Sequence, residues 1–300
     1  MVDRNKVLSV DIGGASCKVG LVDEDGEVLE FKRYNTEDVR KWGAEGFLDR
    51  LQPYTEDYSI DALAMGIPAT VDWDHNHVRS KCREVPWLAE VENKKILQDG
   101  LGRPILLVND VEAHLVGEWF WGELKGYSSG VVLSLGMSMG SALLWNEVPQ
   151  QGRRGSIMEL EHLSLDTYGD QQDADPPGSS SYWLSGSGLR DQMEQAGEVA
   201  ELSEFFSSQD PVHAEIRETF EDKLAHLLGI VVMMLDPERI VLAGGLTGSH
   251  EQWLPAVEDK MDKYVMEQFQ GLPSVTLAQL REEDVIKGPA AFWDWNEERL

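Results

Sequence analysis

Cysteine is scarce in this 300-residue chain, which has only Cys17 and Cys82. Two isolated thiols exclude a disulfide-stapled secreted scaffold, and the lack of any C-x-x-C pair excludes a thiolate zinc cluster. Long apolar runs are also missing. None approaches the ~20 residues that span a bilayer, and the charged opening Met1–Lys6 leads into a strand pattern rather than a signal-peptide core. A cytoplasmic protein with no membrane partner is expected. Positive charge is the third shortage: 26 Lys and Arg stand against 54 Asp and Glu, a net charge of −28. Such a surface repels a phosphodiester backbone, and no helix-turn-helix pattern precedes the first strand, so nucleic acid is not an expected partner. The acidity fits solubility, including in a salt-rich cytoplasm where self-repulsion is screened.

What is present suffices for two hydrophobic cores, with 42% apolar residues over a length too great for one. Five short apolar runs read as buried strands: Val7–Val10, Ala62–Met65, Ile105–Val108, Val131–Leu135 and Ile240–Ala243. Helical spacing is clearest over Ala113–Leu124, Ala214–Leu235 and Gln252–Phe269, with Asp236-Pro237 ending the second. Strands alternating with helices predict an α/β protein with largely parallel pairing. Each strand runs into polar or glycine-rich chain: Asp11-Ile-Gly-Gly14, Gly66-Ile-Pro68, Asn109-Asp110, Gly136-Met-Ser-Met-Gly140 and Gly244-Gly245. Ligands of open α/β sheets bind outside such strand ends, so five of them predict one large cleft. Leu8–Ser16 overlays Leu133–Ser141 without a gap as strand, tight turn and returning strand (Val19–Val22, Ala142–Trp145), and Asp23–Gly26 supplies a further hairpin turn. Two related domains facing one cleft would explain this repeat. The Asp-, Gln-, Pro-, Gly- and Ser-rich stretch Asp166–Gly188 reads as a long loop, either a lid or a tolerated insertion.

Locally, several of these residues have two readings. Asp110 follows a very apolar strand, a costly place for a charge. It reads equally as a general base or as the N-cap of the following helix. Asn109 reads as a hydroxyl-binding amide or as a cap, and Gly13-Gly14 as an anion-binding nest or an ordinary tight hairpin. On a strand, Glu159 and His162 would point to opposite faces, so both reach one ligand only if the chain turns between them. Gly244-Gly245 either admits a nucleotide base beside the backbone or simply caps its strand.

Assembled in order, the motifs resemble those of the ROK family of bacterial sugar kinases and regulators, closest to its polyphosphate- and ATP-dependent glucokinase branch. The resemblance covers nearly the whole chain. Asp11–Lys18 resembles the first phosphate loop, Gly66-Ile-Pro68 the sugar-side turn, and Asn109-Asp110 the catalytic pair. Glu159-Leu-Glu-His162 resembles the sugar-binding Glu-x-Gly-His motif, Asp236–Gly245 the adenosine-side segment, and Gly288-Pro-Ala-Ala291 the opening of the final helix. This implies two actin-like (ribonuclease H-like) α/β domains with mixed, helix-flanked sheets, residues 1–112 plus about 288–300 and residues 113–287, with the ligand cleft between them. It implies Asp110 as general base and Asn109, Glu159, His162, Gly66, Pro68 and Glu84 on the sugar. Asp11, Gly13, Gly14, Ser16, Lys18, Gly136, Ser138, Gly140, Gly244 and Gly245 would serve phosphate and nucleotide. Asp11 would hold Mg²⁺ through water, with ATP or polyphosphate as donor, a small sugar as partner, and a homodimer as the assembly.

The chain also departs from the pattern. Ala15 stands where the family usually carries a hydroxyl residue, and Met137-Ser138 replaces Thr-Gly in the second phosphate loop. Glu84 lies where an Asn is usual, Glu161 replaces Gly, and the cysteine-rich zinc module is absent, so no structural zinc is expected. A lost neutral hydrogen bond costs ~0.5–1.5 kcal/mol, whereas a positioned base contributes ~10²–10⁴-fold. Retention of Asp110 therefore favours a weakened or retuned sugar kinase over a non-catalytic sugar- or nucleotide-binding sensor; a nucleotide hydrolase with no sugar substrate is a third and weaker reading.

Overall fold

The computed structural model describes residues 6–169, 175–198, 201–271 and 273–299. The chain opens with three strands, β1 (Lys6–Ile12), β2 (Ser16–Asp23) and β3 (Val28–Asn35), followed by α1 (Thr36–Asp57) and β4 (Ala62–Ile67). A two-strand ribbon, β5 (Val71–Asp72) and β6 (His77–Val78), precedes α2 (Val91–Leu101), β7 (Ile105–Asn109) and α3 (Asp110–Trp121). Then come β8 (Gly130–Leu135), β9 (Met139–Trp145), β10 (Val148–Pro149), α4 (Ser180–Leu184), α5 (Gly186–Gln195), α6 (Leu202–Phe205) and α7 (Pro211–Leu235). The chain closes with β11 (Arg239–Ala243), α8 (Leu254–Met261), β12 (Ser274–Leu277) and α9 (Lys287–Arg299). None of the described helices is long and apolar enough to cross a membrane.

These elements form two compact units. The first comprises Met1–Gly126, Pro149–Ile157 and Ala278–Leu300, and the second Tyr127–Val148 and Met158–Leu277. The sequence places the change of domain at residue 112; in the structure the chain stays with the first unit through Gly126, because α3 packs against α9.

In the first unit the sheet order is β3-β2-β1-β4-β7, and in the second β10-β9-β8-β11-β12. Each sheet starts from an antiparallel hairpin and extends through parallel strands on the other side of its first strand. The repeat legible between Leu8–Ser16 and Leu133–Ser141 is therefore a repeat of topology. Strand side chains alternate faces, and both faces of the first sheet are covered. Leu8, Val10, Ile12, Leu63, Met65 and Leu107 pack with Phe47 and Leu51 of α1, while Val7, Ala64, Leu106 and Val108 pack with Phe292 and Trp295 of α9. That two-sided burial is why the central runs are continuously apolar.

All five predicted strands are present. The two long helices are present as α3 and α7, and Asp236 ends α7 in the left-handed conformation (φ 42°). The predicted helix over Gln252–Phe269 is not continuous. α8 covers only Leu254–Met261, and a separate 3₁₀ turn forms at Glu267–Phe269. Tyr264 is drawn out of the helix by packing on α7, where it stacks on His226 (4.7 Å between centroids) and its hydroxyl donates to Asp222 Oδ2 at 2.8 Å. The predicted loop Asp166–Gly188 holds α4 and the first turn of α5, started by the hydroxyl caps Ser179 and Ser185; residues 170–174 lie outside the described residues.

Candidate functional site

In the first unit the candidate residues converge at the C-terminal ends of β1, β4 and β7. Pairing sets Asp11 beside Gly66 and Gly66 beside Val108, which carries Asp110 to the start of α3. The cap of α3 is Asn109, whose Oδ1 accepts from Val111 N (2.9 Å) and Glu112 N (3.1 Å). Capping therefore does not account for Asp110. Asn109 Nδ2 donates to the Ala69 carbonyl at 3.4 Å. Asp110 is half-buried and accepts from Val111 N at 3.0 Å. Burial first, then the neighbouring charge of Asp11 and a smaller contribution from Glu84, push its carboxyl up to about 7 despite the Val111 amide. A base that titrates near neutrality is matched to proton abstraction at neutral pH.

Gly66 is buried in β4, where a Cβ would come 3.2 Å from Pro289 Cγ and 3.5 Å from the Asp110 Cα. It is a close-approach position that lets α9 and the start of α3 meet the sheet. Pro68 follows half-buried just beyond the strand. Glu84 lies in an irregular segment before Leu88, half-buried, and its charge raises both Asp110 and Cys82.

The loop between β1 and β2 is a tight turn in which Gly13 N donates to the Ser16 carbonyl at 3.0 Å. Gly14 and Ala15 are exposed, and a Cβ at Gly14 would meet nothing within 4 Å. Lys18 lies on β2 directly opposite Asp11 and its Nζ is 2.8 Å from Asp11 Oδ2, with both side chains about four-fifths or more buried. Lys18 thus sits over the loop's own carboxylate rather than out in solvent. Sequence reading missed Thr36, whose buried hydroxyl donates to the Gly13 carbonyl at 2.7 Å while its amide donates to Ala15. The only signal was its place after Asn35 at the start of α1, because a contact across more than twenty residues has no local pattern.

The second unit repeats this arrangement. Gly136 N donates to the Ser138 carbonyl at 3.0 Å, the counterpart of the turn at Gly13. Gly186 N and Ser187 N at the start of α5 donate to the Gly136 and Met137 carbonyls, which fixes the loop from behind. Met137 and Ser138 are exposed, and Gly140 lies half-buried on β9. At the end of β11, Gly244 has φ +88°, and a Cβ there would collide with the Leu135 backbone, whereas Gly245 faces open space. Gly244→Ala is expected to destabilise the protein by about 1–3 kcal/mol, read as a lower midpoint in urea. An unchanged midpoint would contradict this reading of the turn.

Glu159-Leu-Glu-His162 is not a strand: Leu160–His162 forms a 3₁₀ turn. The turn gathers Glu159, Glu161 and His162 so that one ligand atom from each lies within 4.8 Å of the others. This is the bend that the three-residue spacing required. His162 Nδ1 is 2.7 Å from Asp175 Oδ1 and its Nε2 is 3.2 Å from Glu161 Oε1. Asp175 was not recognisable from sequence, because it lies in the acidic, proline-containing stretch read only as loop.

Two units of one sheet topology, each with a glycine turn after its first strand, define an actin-like α/β protein. The profile of the ROK family matches residues 7–295, and the chain belongs to that family. It is 26% identical over 311 residues to a glucokinase of Thermotoga maritima, covering 96% of each chain. Its fold is shared with a ROK hexokinase from Thermus thermophilus (TM-score 0.80, 23% identity, 97% of this chain and 99% of the other). It is likewise shared with a ROK glucokinase from Streptomyces griseus crystallised with glucose and AMPPNP (TM-score 0.77, 21% identity, 96% and 99%).

Proposed function

We propose that the protein is a sugar kinase that transfers the terminal phosphoryl group of ATP, or of polyphosphate, to a hydroxyl of a hexose-like sugar. The observation that carries this reading is Asp110: a half-buried carboxyl that does not cap its helix, lies at three converging strand ends, and is raised to about 7. In the reaction the acceptor oxygen bonds to the terminal phosphorus as its proton passes to an Asp110 carboxylate oxygen. The bond between that phosphorus and the donor's bridging oxygen breaks, and the donor leaves one phosphate shorter. Asn109 offers its remaining amide hydrogen to a neighbouring hydroxyl, Pro68 and Glu84 border the acceptor, and Glu159 and His162 supply further sugar contacts.

The turns Gly13–Ser16 and Gly136–Gly140 receive phosphate through backbone amides, with Lys18 as the nearby cation. The open space at Gly245, reached past Gly244, takes the nucleotide base. Asp11, a hard oxygen donor whose partner in the structure is the Lys18 ammonium, fits a magnesium ion bound through water; such an ion would neutralise charge on the donor phosphates. The reading extends to a homodimer, which equilibrium sedimentation tests directly.

A coupled assay over a sugar panel, with ATP and polyphosphate as alternative donors, tests the function. Sugar-dependent formation of the phosphate ester is expected. Binding of sugar with no transfer from either donor would replace this reading with that of a sensor, and donor loss independent of sugar would replace it with that of a hydrolase. Within the acceptor site, Asp175 holds the His162 ring through Nδ1. Asp175→Asn is expected to raise the acceptor KM about tenfold, the worth of a charge-assisted hydrogen bond, with kcat changed much less. An equal fall in kcat with unchanged KM would remove His162 from acceptor binding.

A further inference from the structure

In this strongly acidic chain, four exposed cations gather around one short segment of the first unit. Ala69-Thr70-Val71 leads out of β4. Thr70 N donates to Ser80 Oγ at 2.8 Å and the Thr70 carbonyl accepts from Arg79 N at 2.8 Å, which lays Arg79 and Ser80 alongside, immediately before Lys81 and Arg83 in the chain. From the other side the Thr70 hydroxyl is 3.4 Å from Ser156 Oγ, and Gln151 Nε2 donates to the Val71 carbonyl at 2.6 Å. Gly155 packs so closely that a Cβ there would come 2.9 Å from that same carbonyl. These anchors bracket Arg153 and Arg154. Lys81, Arg83, Arg153 and Arg154 are all exposed, and among the described residues none of them makes an ion pair. Arg79, next to the group, is by contrast paired with Asp72.

The group adjoins the acceptor residues. The Ala69 carbonyl that receives Asn109 Nδ2 immediately precedes Thr70, and Cys82, between Lys81 and Arg83, lies within electrostatic reach of Glu84 and Asp110. The phosphate turn Gly13–Ser16 belongs to the β1–β2 hairpin and is tied to Thr36, whereas Thr70 follows β4, which lies between β1 and β7. Unpaired cations in a chain of net charge −28 create a local positive potential that admits an anion the rest of the surface repels. Arginine in particular suits carboxylate and phosphate.

We infer that the acceptor is an anionic sugar, a sugar acid or a sugar phosphate, whose charged group is held by Arg153 and Arg154 with Lys81 and Arg83 while a hydroxyl faces Asp110. This rests on the kinase reading above for its chemistry, but not for its binding. The test uses matched sets of neutral hexoses, their uronic and aldonic acids, and hexose phosphates. Each is measured by calorimetry without donor and by transfer assay, on the full chain, its Arg153→Ala/Arg154→Ala variant and, as a control cation elsewhere, Lys125→Ala.

The expected result is binding of the acids or the phosphates, whichever set is taken, at least tenfold tighter than binding of their neutral partners. This preference should weaken as salt rises and be lost in the double arginine variant but not in Lys125→Ala. Anion binding with that dependence but no transfer to any acceptor upholds the inference and removes the kinase reading. Transfer to neutral sugars alone, with the same KM in parent and double variant, overturns the inference and leaves the kinase reading standing. Failure of every anionic sugar to bind overturns it. So does a variant that raises the KM for polyphosphate while the acceptor KM is unchanged.

Discussion

Asp110→Asn is expected to lower kcat by about 10²–10⁴, the contribution of a positioned general base, while leaving the fold intact. The substitution keeps the size of the side chain, and the helix cap belongs to Asn109 rather than to Asp110. In the parent protein kcat/KM should rise with pH through a midpoint near 7, where burial and the charges of Asp11 and Glu84 have moved the carboxyl, and this limb should vanish in the variant. Stability should move the other way. A carboxyl whose folded value lies above its ordinary 3.8 binds more protons in the folded state, so its contribution falls as pH rises from about 4 to about 7. Removing the charge should therefore make Asp110→Asn more stable than the parent above pH 7, by at most about 4 kcal/mol. Steady-state rates and urea midpoints across pH check both halves. An Asn variant with parental kcat would remove Asp110 from the chemistry.

The largest expected effect on stability is at Glu118. This side chain on α3 is fully buried and takes the amides of Leu280 (Oε1, 2.7 Å) and Glu123 (Oε2, 2.7 Å), with His114 Nε2 at 3.4 Å, an ion-pair distance without hydrogen-bond geometry. It pins the segment that leads into α9 to the helix that carries Asp110. Burial alone would raise its pKa; His114 and the Glu123 and Leu280 amides outweigh that and hold it below the ordinary 4.5. Its contribution is therefore complete above pH 4.5 and is lost as pH falls through the lower folded value. Glu118→Ala strands the buried Leu280 amide and the part-buried Glu123 amide and should cost about 2–5 kcal/mol, a fall in melting temperature on the order of 10 °C. Glu118→Gln, which keeps one acceptor oxygen, should lose less. A loss in Glu118→Ala within about 0.5 kcal/mol of zero, comparable to an ordinary surface substitution, would show that the segment is held by apolar packing alone.

Glu118 also marks the limit of what sequence reading reaches. In sequence it is one more carboxylate on an amphipathic helix; its value comes from a partner 162 positions away. The same holds for Asp175 beside His162 and for Thr36 behind Gly13, whose roles depend on chain returning from elsewhere. Tyr264 interrupts the helical pattern after Met261 because His226 and Asp222 on α7 offer it better contacts than another turn of helix. The cations around Thr70 likewise come from two pairs, Lys81 with Arg83 and Arg153 with Arg154, about seventy residues apart along the chain, and only the anchors at Thr70 and Val71 join them.

Asp110 shows the division most directly. Its strand-end position, its neighbours in the motif and the repeat of two strand-turn-strand units could be read from residue order, because alternation, apolar runs and glycine turns are local and periodic. Choosing between base and helix cap could not. The base reading we propose leans on Asn109 taking both the Val111 and Glu112 amides while Asp110 takes Val111 alone, and on how close β1 brings Asp11. Both depend on strand register and burial, which set electrostatic strength only once the chain has folded.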